Sequence, residues 1–409
     1  MLGEVRRAAP EIRGLVAIGG VRRFEPVVGH LGLVGIADAP AETIARLITS
    51  AETRVAAHDD ETVTFTRDGH QAVLRLVPPA AYGAALVHST GSPEHVAKLA
   101  GRAAARGLTL TSAGLLDGEG RVLLTPSEQD AYAALGLADI PPELRAGRDE
   151  VEAAANGTLP RLVTAGDLRG DLHVHTDWSD GRNSVEEVVQ AARALGYAYV
   201  AITDHSRSVP LTTGLEVEDL AAQRDEVLRV QEQYDDIVVL HGAEVDILPD
   251  GRLDFPDAAL EQLDIVLASL HDEAGQGERE LVDRYLKAIR HPLVHLITHP
   301  TNRLIGSQEG YALDFDTLFA AAAETGTILE IDGAPVHLDM DGDLTRRAIA
   351  RGAMVSIDSD AHRASQLALH RRMGVGTARR GWATAAAVAN TRPPADLRDL
   401  LARKRRNRA

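Results

Sequence analysis

At 409 residues the chain exceeds the usual size of one domain, and a hydrophobic fraction of 44% supplies a substantial core, built from Ala, Leu, Val and Ile because aromatic residues reach only 3%. With no cysteine there is no disulfide framework, no thiolate ligand and no cysteine nucleophile. A net charge of −17 speaks against a globally basic nucleic-acid binder, although bound divalent cations would neutralise some of the carboxylates. The first residues lack a basic-then-apolar leader and no apolar run is long enough for a bilayer, so the expectation is a cytoplasmic protein without a membrane or an obligate protein partner.

In chain order, residues 1–156 hold the apolar stretches Leu15–Ile18, Leu31–Ile36 and Ala72–Val77 and an Ala-rich helix around His95–Ala105. They read as a smaller α+β domain to which pattern alone assigns no chemistry. Residues 157–168, from Gly157-Thr-Leu-Pro160 to Asp167, read as a linker. Beyond them short apolar strands alternate with helices: strands at Asp171–His175, Tyr199–Thr203, Ile237–Leu240, Ile265–Ser269, Val294–Thr298, Thr327–Ile331 and Met354–Ile357, and helices at Val185–Leu195, Leu220–Gln233, Phe315–Thr325 and Leu344–Arg351. This alternation over 169–385 predicts an α/β fold, a closed or nearly closed β/α barrel of parallel strands, with an open doubly wound sheet as the alternative. Residues 386–409 predict a C-terminal helix and a basic tail, Arg403 to Arg408, read as a solvated, disordered end.

The polar residues follow the strands. His173 and His175 stand two apart in an extended segment, which puts both on one face. Asp180 sits in a Ser-Asp-Gly turn, Asp204-His205 closes the next apolar run, and Glu244, His271, His299, Asp360 and His362 recur near later strands. Strand C-termini of a β/α barrel open on one face, so these donors are predicted to converge there. Nitrogen and oxygen donors without cysteine suit zinc, manganese or iron.

The set His173-Val-His175, Asp180, Asp204-His205, Glu244, Ser269-Leu-His271, His299-Pro300 and Asp360-Ala-His362 resembles the PHP (polymerase and histidinol phosphatase) superfamily, whose fold is a distorted seven-stranded β/α barrel. The resemblance runs from about Arg169 to Trp382. It narrows to the PHP domain of bacterial-type family X DNA polymerases through Ile297-Thr-His-Pro-Thr301, Leu329-Glu-Ile331 and Val375-Gly-Thr-Ala-Arg-Arg-Gly-Trp382, and upstream through Tyr82-Gly-Ala-Ala-Leu86, Thr90-Gly-Ser-Pro-Glu-His95 and Ile140-Pro-Pro-Glu-Leu-Arg145. Residues 1–156 are thereby similar to a polymerase palm and thumb. Where the family's palm carries Gly-Asp-x-Asp and a third aspartate before Leu-Arg, this chain has Gly29-His30-Leu31-Gly32 and Val73-Leu74-Arg75. The family's helix-hairpin-helix and fingers regions find no counterpart either. The resemblance therefore implies no polymerase activity.

The resemblance also implies three divalent cations per chain. His173, His175, Glu244 and Asp360 hold the first, Glu244 bridges to a second on His271 and His299, and Asp180, His205 and His362 hold the third. Cations roughly 3.5–4 Å apart activate a shared water for in-line attack on phosphorus. Arg303 is a candidate phosphate fork and His337 a candidate proton donor, each with a plainer reading as a salt-bridged surface residue and a substituted rim residue. At the mouth, the family's Asn-Ala-Asn-Pro and Arg-Leu-Asp are here Asp332-Gly-Ala-Pro335 and His337-Leu-Asp339. Expected substrates are DNA ends, cut as a 3′–5′ exonuclease or 3′-phosphatase. A small phosphorylated metabolite of the histidinol-phosphate kind is the alternative, and a non-catalytic DNA-repair partner is a third.

Overall fold

The computed structural model describes residues 2–49, 54–67, 69–209 and 213–406 and divides the chain into two compact units, Met1–Pro160 and Arg161–Ala409. No helix among the described residues is long and apolar enough to cross a membrane.

The first unit is built on a five-stranded sheet of β1 (Arg13–Ala17), β2 (Leu31–Ile36), β3 (Val55–His58), β4 (Thr62–Arg67) and β5 (His70–Val77), in the order β1-β2-β5-β4-β3. Leu33, Leu74 and Leu76 turn to a buried cluster with Val63 and Phe65. Strands β2 and β5 run parallel, with Gly32 opposite Val73. Of the positions that the resemblance sets against the palm's three aspartates, Gly32 and Val73 face each other on β2 and β5 and His30 just precedes β2, and none of the three is acidic. The Ala-rich helix spans Pro93–Ala104 and is capped by the Ser92 hydroxyl, which accepts from the His95 N–H. A small hairpin, β6 (Thr109–Thr111) and β7 (Gly114–Leu116), follows.

The second unit is a nearly closed barrel of seven parallel strands: β8 (Gly170–Asp171), β9 (Tyr199–Ile202), β10 (Val238–Asp246), β11 (Ile265–Ser269), β12 (Leu296–Ile297), β13 (Ile328–Asp332) and β14 (Val355–Asp358). The open-sheet alternative falls. Neighbouring residues on one strand join different clusters. Tyr199, Ala201, Ile265 and Leu267 pack together, while Val200, Ile202, Val266 and Ala268 pack with the helices. Both faces are apolar, as parallel strands covered on both sides require.

Two strand boundaries differ from expectation in ways that matter. Strand β8 ends at Asp171, so His173 and His175 lie beyond the ladder, held extended by a parallel bridge between Val174 and Ala361. Strand β10 continues to Asp246, which puts Glu244 inside a strand. Asn390 closes the remaining gap between the first and last strands. Its buried side chain donates to the carbonyls of Gly170 and Ile357 at 3.0 and 2.7 Å and accepts from the Ile357 N–H at 3.1 Å.

The basic tail is a correction. Residues Pro394–Arg406 form a helix whose Leu397 and Leu401 join the inner cluster. Lys404 is buried, donating to the Ile289 carbonyl at 2.7 Å, and Arg405 donates to the Leu263 carbonyl. Apolar burial and these bonds to backbone carbonyls outweigh the repulsion of neighbouring cations. Asn407, Arg408 and Ala409 lie outside the described residues.

Replacing Asn390 with Ala leaves buried backbone groups unpaired at the seam and should cost about 2–4 kcal/mol in urea unfolding. An unchanged midpoint would show that the seam holds without it. Burial pushes the His241 and His295 imidazoles down to about 4 and about 3. The unfolded chain thus binds more protons than the folded one from about pH 6.5 downward. Stability should decline on acidification through that range, and less steeply in His295→Gln, as the urea midpoint at several pH values will show.

Candidate metal centre

The nine expected side chains converge at the C-terminal mouth of the barrel. Glu244 lies at their centre, buried. Its Oε1 is 2.9 Å from His299 Nε2 and 3.5 Å from His271 Nε2; its Oε2 is 2.9 Å from His205 Nδ1, 3.2 Å from His173 Nε2 and 3.5 Å from His175 Nε2. On the far side of the His173–His175 pair, whose Nε2 atoms are 3.0 Å apart, Asp360 Oδ1 lies 3.0 Å from His175 Nε2 and 3.6 Å from His173 Nε2. Asp180 Oδ1 stands 3.3 Å from His362 Nε2, 3.7 Å from His205 Nε2 and 4.0 Å from His175 Nδ1. The His175 ring stacks on those of both His205 and His362, with centroids 4.3 Å apart in each pair. It therefore faces both the Glu244 group and the Asp180 group.

Local structure aims these side chains. The turn carrying Asp180 closes because Gly181 lies against the backbone of His175 and Thr176; a Cβ there would come within 2.6 Å. Asp360 takes a left-handed φ of 45°, uncommon outside glycine and typical of residues held for a purpose. Three of the six rings are anchored through Nδ1, leaving Nε2 to point inward. His173 Nδ1 donates to Glu330 at 2.7 Å, His271 Nδ1 to Asp246 at 3.0 Å, and His362 Nδ1 to the Asp360 carbonyl at 3.1 Å. This is how proteins fix the tautomer of metal-binding histidines.

The donor set fits divalent cations. Glu244 Oε2 and His205 Nδ1 approach to 2.9 Å yet form no aligned hydrogen bond, and His175 Nδ1 and His299 Nδ1 are buried without a partner among the described residues. Lone pairs that converge on common space, rather than on each other, call for a cation. The electrostatics agree. Burial opposes the charge on Glu244, yet the imidazoles of His173, His205 and His271 hold its carboxyl well below the usual range. Burial likewise opposes charge on His299 and His362, but Glu244 and Asp180 respectively push them up to about 9. His175 carries no such proton: burial, then His205 and His362, push it down to about 3. Groups of three or four donors with ligand atoms within 4.8 Å of one another form at His175-Asp180-His205-His362, His173-His175-Asp360 and His205-Glu244-His271.

Two expectations change. Arg303 does not present a free fork: Nε donates to the His337 carbonyl at 2.8 Å, Nη2 donates to the Leu338 carbonyl, and Nη1 lies 3.6 Å from Asp341. Its donors brace the loop that carries His337. That ring stacks on His299 with centroids 5.7 Å apart, and its Nδ1 donates to the Arg303 carbonyl at 2.9 Å. Burial and His299 push its pKa down to about 4. Its one ring proton at neutral pH is thus turned away, and His337 shows the site an acceptor rather than a proton donor.

The sequence reading gave no role to three buried carboxylates. Glu330 accepts from His173 Nδ1 and from the His299 N–H, both at 2.7 Å. Asp204 accepts from Thr176, Ser179 and Gln223 and sets the turn after the histidine pair. Asp246 holds His271. The available signal was an acid inside an apolar run, as in Ile328-Leu-Glu-Ile-Asp332.

A seven-stranded barrel with this basin defines a class, the PHP barrels, whose members are metal-dependent. Residues 171–334 match the PHP domain family and residues 85–146 the DNA polymerase beta thumb family. Over 396 residues, 94% of this chain and 68% of the relative, the chain is 35% identical to the DNA polymerase/3'-5' exonuclease PolX of Bacillus subtilis. It is 32% identical over 209 residues to a probable phosphatase of Syntrophotalea carbinolica, covering 48% of this chain and 82% of that one, and 30% identical over 204 residues to a probable phosphatase of Caldanaerobacter subterraneus, covering 47% and 75%. The chain belongs to the PHP superfamily, in the branch of the bacterial family X polymerases, with a degenerate palm and a thumb ahead of its barrel.

Glu330→Gln keeps shape but weakens the anchor of His173. It should lower manganese affinity about 10–100-fold in calorimetric titration with little loss of fold. Affinity equal to the wild type would remove Glu330 from the site.

Proposed function

We propose that the barrel hydrolyses phosphoesters at DNA ends, as a 3′–5′ exonuclease or 3′-phosphatase, through three divalent cations of manganese, zinc or iron, and that the palm no longer polymerises. The observation that carries the reading is Glu244, whose two oxygens face two separate histidine groups. One side joins His173, His175 and Asp360, the other His271 and His299, and Asp180, His205 and His362 complete a third group. Likeness to the PolX exonuclease along nearly the whole chain, thumb included, supports DNA as the substrate.

When bound, such cations lower the pKa of a shared water and offset charge on phosphorus during in-line displacement. The chain supplies the rest. Glu330, Asp246 and the Asp360 carbonyl fix three rings in one tautomer, so no reorganisation is needed as charge develops. Glu244 and Asp360 stay ionised at neutral pH because the imidazoles around them outweigh burial. The palm lacks the corresponding means: His30, Gly32 and Val73 occupy its three acidic positions and offer no carboxylate.

A second reading has its own observation. A cleft of about 640 Å³ beside His271 is walled by Asp272, Glu273, Glu278 and Glu309. Four acids repel a polyanion there and suit a small phosphate ester that carries a positive charge.

Manganese-loaded protein should shorten a labelled duplex with a recessed 3′ end stepwise. His173→Ala should cut the rate by roughly 10²–10³-fold or more, the scale of losing one preorganised group. Phosphate release from histidinol phosphate with intact DNA would replace this reading with the second. A primer-template assay with labelled nucleotide should show no incorporation; extension would refute the loss of polymerisation.

A further inference from the structure

Beyond the nine donors around Glu244, one more group gathers at the mouth. Asp332 ends β13 and is fully buried. Its Oδ1 accepts from the Ala334 N–H at 2.6 Å, whereas Oδ2 is buried and has no hydrogen-bond partner among the described residues. His337 spends its Nδ1 proton on the Arg303 carbonyl, which leaves Nε2 as a lone pair. Ligand atoms from Asp332, His337 and Asp360 all lie within 4.8 Å of one another.

The loop between them is firmly held. The Ala334 carbonyl accepts from the N–H groups of His337 and Leu338, both at 2.9 Å, and Arg303 grips the carbonyls of the same two residues. Two carboxyl groups and an imidazole lone pair thus converge in a preformed, largely buried space. A buried carboxylate oxygen facing a second carboxylate is costly unless a cation or a shared proton lies between them. An imidazole nitrogen turned into the same space favours the cation, since one nitrogen and two oxygens make a ligand set for zinc or manganese.

We propose that Asp332, His337 and Asp360 form a further divalent-cation subsite at the mouth, next to the groups around Glu244 and joined to them through Asp360. The proposal rests on the reading that Asp360 holds a cation of the main centre. The added cation supplies positive charge for the substrate's phosphate at the rim, a role Arg303 cannot fill while its donors brace the loop. Phosphate density on the substrate side of His299 is then met by a metal rather than by a guanidinium.

The test counts cations in the full-length protein. Wild type, Asp332→Asn, His337→Gln and His173→Ala are dialysed against manganese at fixed free concentration and measured by elemental analysis, then loaded with cadmium for NMR. Asp332→Asn and His337→Gln should each bind one equivalent less than wild type and lack the same cadmium resonance, while His173→Ala loses a different one. His337→Gln removes no charge, so its loss cannot come from weaker electrostatics at the main centre, and it guards against a folding defect in Asp332→Asn. Full cation content and all resonances in both variants, with losses in His173→Ala, would overturn the subsite alone and leave a proton shared by Asp332 and Asp360. Wild-type protein that takes up no cation would overturn the parent reading and this proposal with it.

Discussion

Everything at the barrel mouth turns on a single buried charge, that of Glu244. A carboxylate enclosed inside a strand, with no exposure to water, is tolerated only if opposite charge surrounds it on the scale of its desolvation cost. Imidazoles on several strands provide that, and each is useful only if its ring faces inward. The outer carboxylates Glu330 and Asp246 exist to turn two of those rings. The basin is therefore a nested arrangement in which carboxylates hold histidines and histidines hold a carboxylate, and every layer presumes positive charge at the centre. Glu244 and Asp180 push the His299 and His362 imidazoles up, and a bound divalent cation would supply the same positive charge.

The two units show what happens when this constraint is present and when it is absent. In the barrel, losing one donor strands the others as uncompensated buried charge, so the set stands or falls together. The palm positions are different. Gly32 and Val73 sit side by side on β2 and β5, and Val73 is partly exposed, so acids there could be exchanged for neutral residues without leaving anything buried and unpaired. A sheet of this kind keeps its fold on Leu33, Leu74 and Leu76 whatever its polar face carries.

Legibility in the sequence followed the range of the interactions. The barrel strands and four of the flanking helices were visible from periodicity, and the nine donors from their motifs, because each rests on neighbours a few residues away; the helices Glu278–Arg290 and Leu367–Arg380 were not. Strand ends were not. The length of β10 depends on pairing with β11 as far as Asp246 opposite Ser269, and the early end of β8 on a seam closed by Asn390 across 220 residues. The basic end of the C-terminal helix was misread for a similar reason: its cations look solvated until Ile289 and Leu263 offer them carbonyls.

By itself, the sequence determined which atoms are available: nitrogen and oxygen donors without thiol, on parallel strands that share one open end, and a palm stripped of acids. Tertiary structure alone decided where those atoms point. It committed Arg303 to the loop, turned the His337 proton away from the site, seated Glu330 behind His173, and brought Asp332 within reach of Asp360. The reason is physical. Donor identity is a covalent property of each residue, whereas the direction of a lone pair is set by the hydrogen bond on the other side of the ring, and for His173 and His271 that partner comes from another strand.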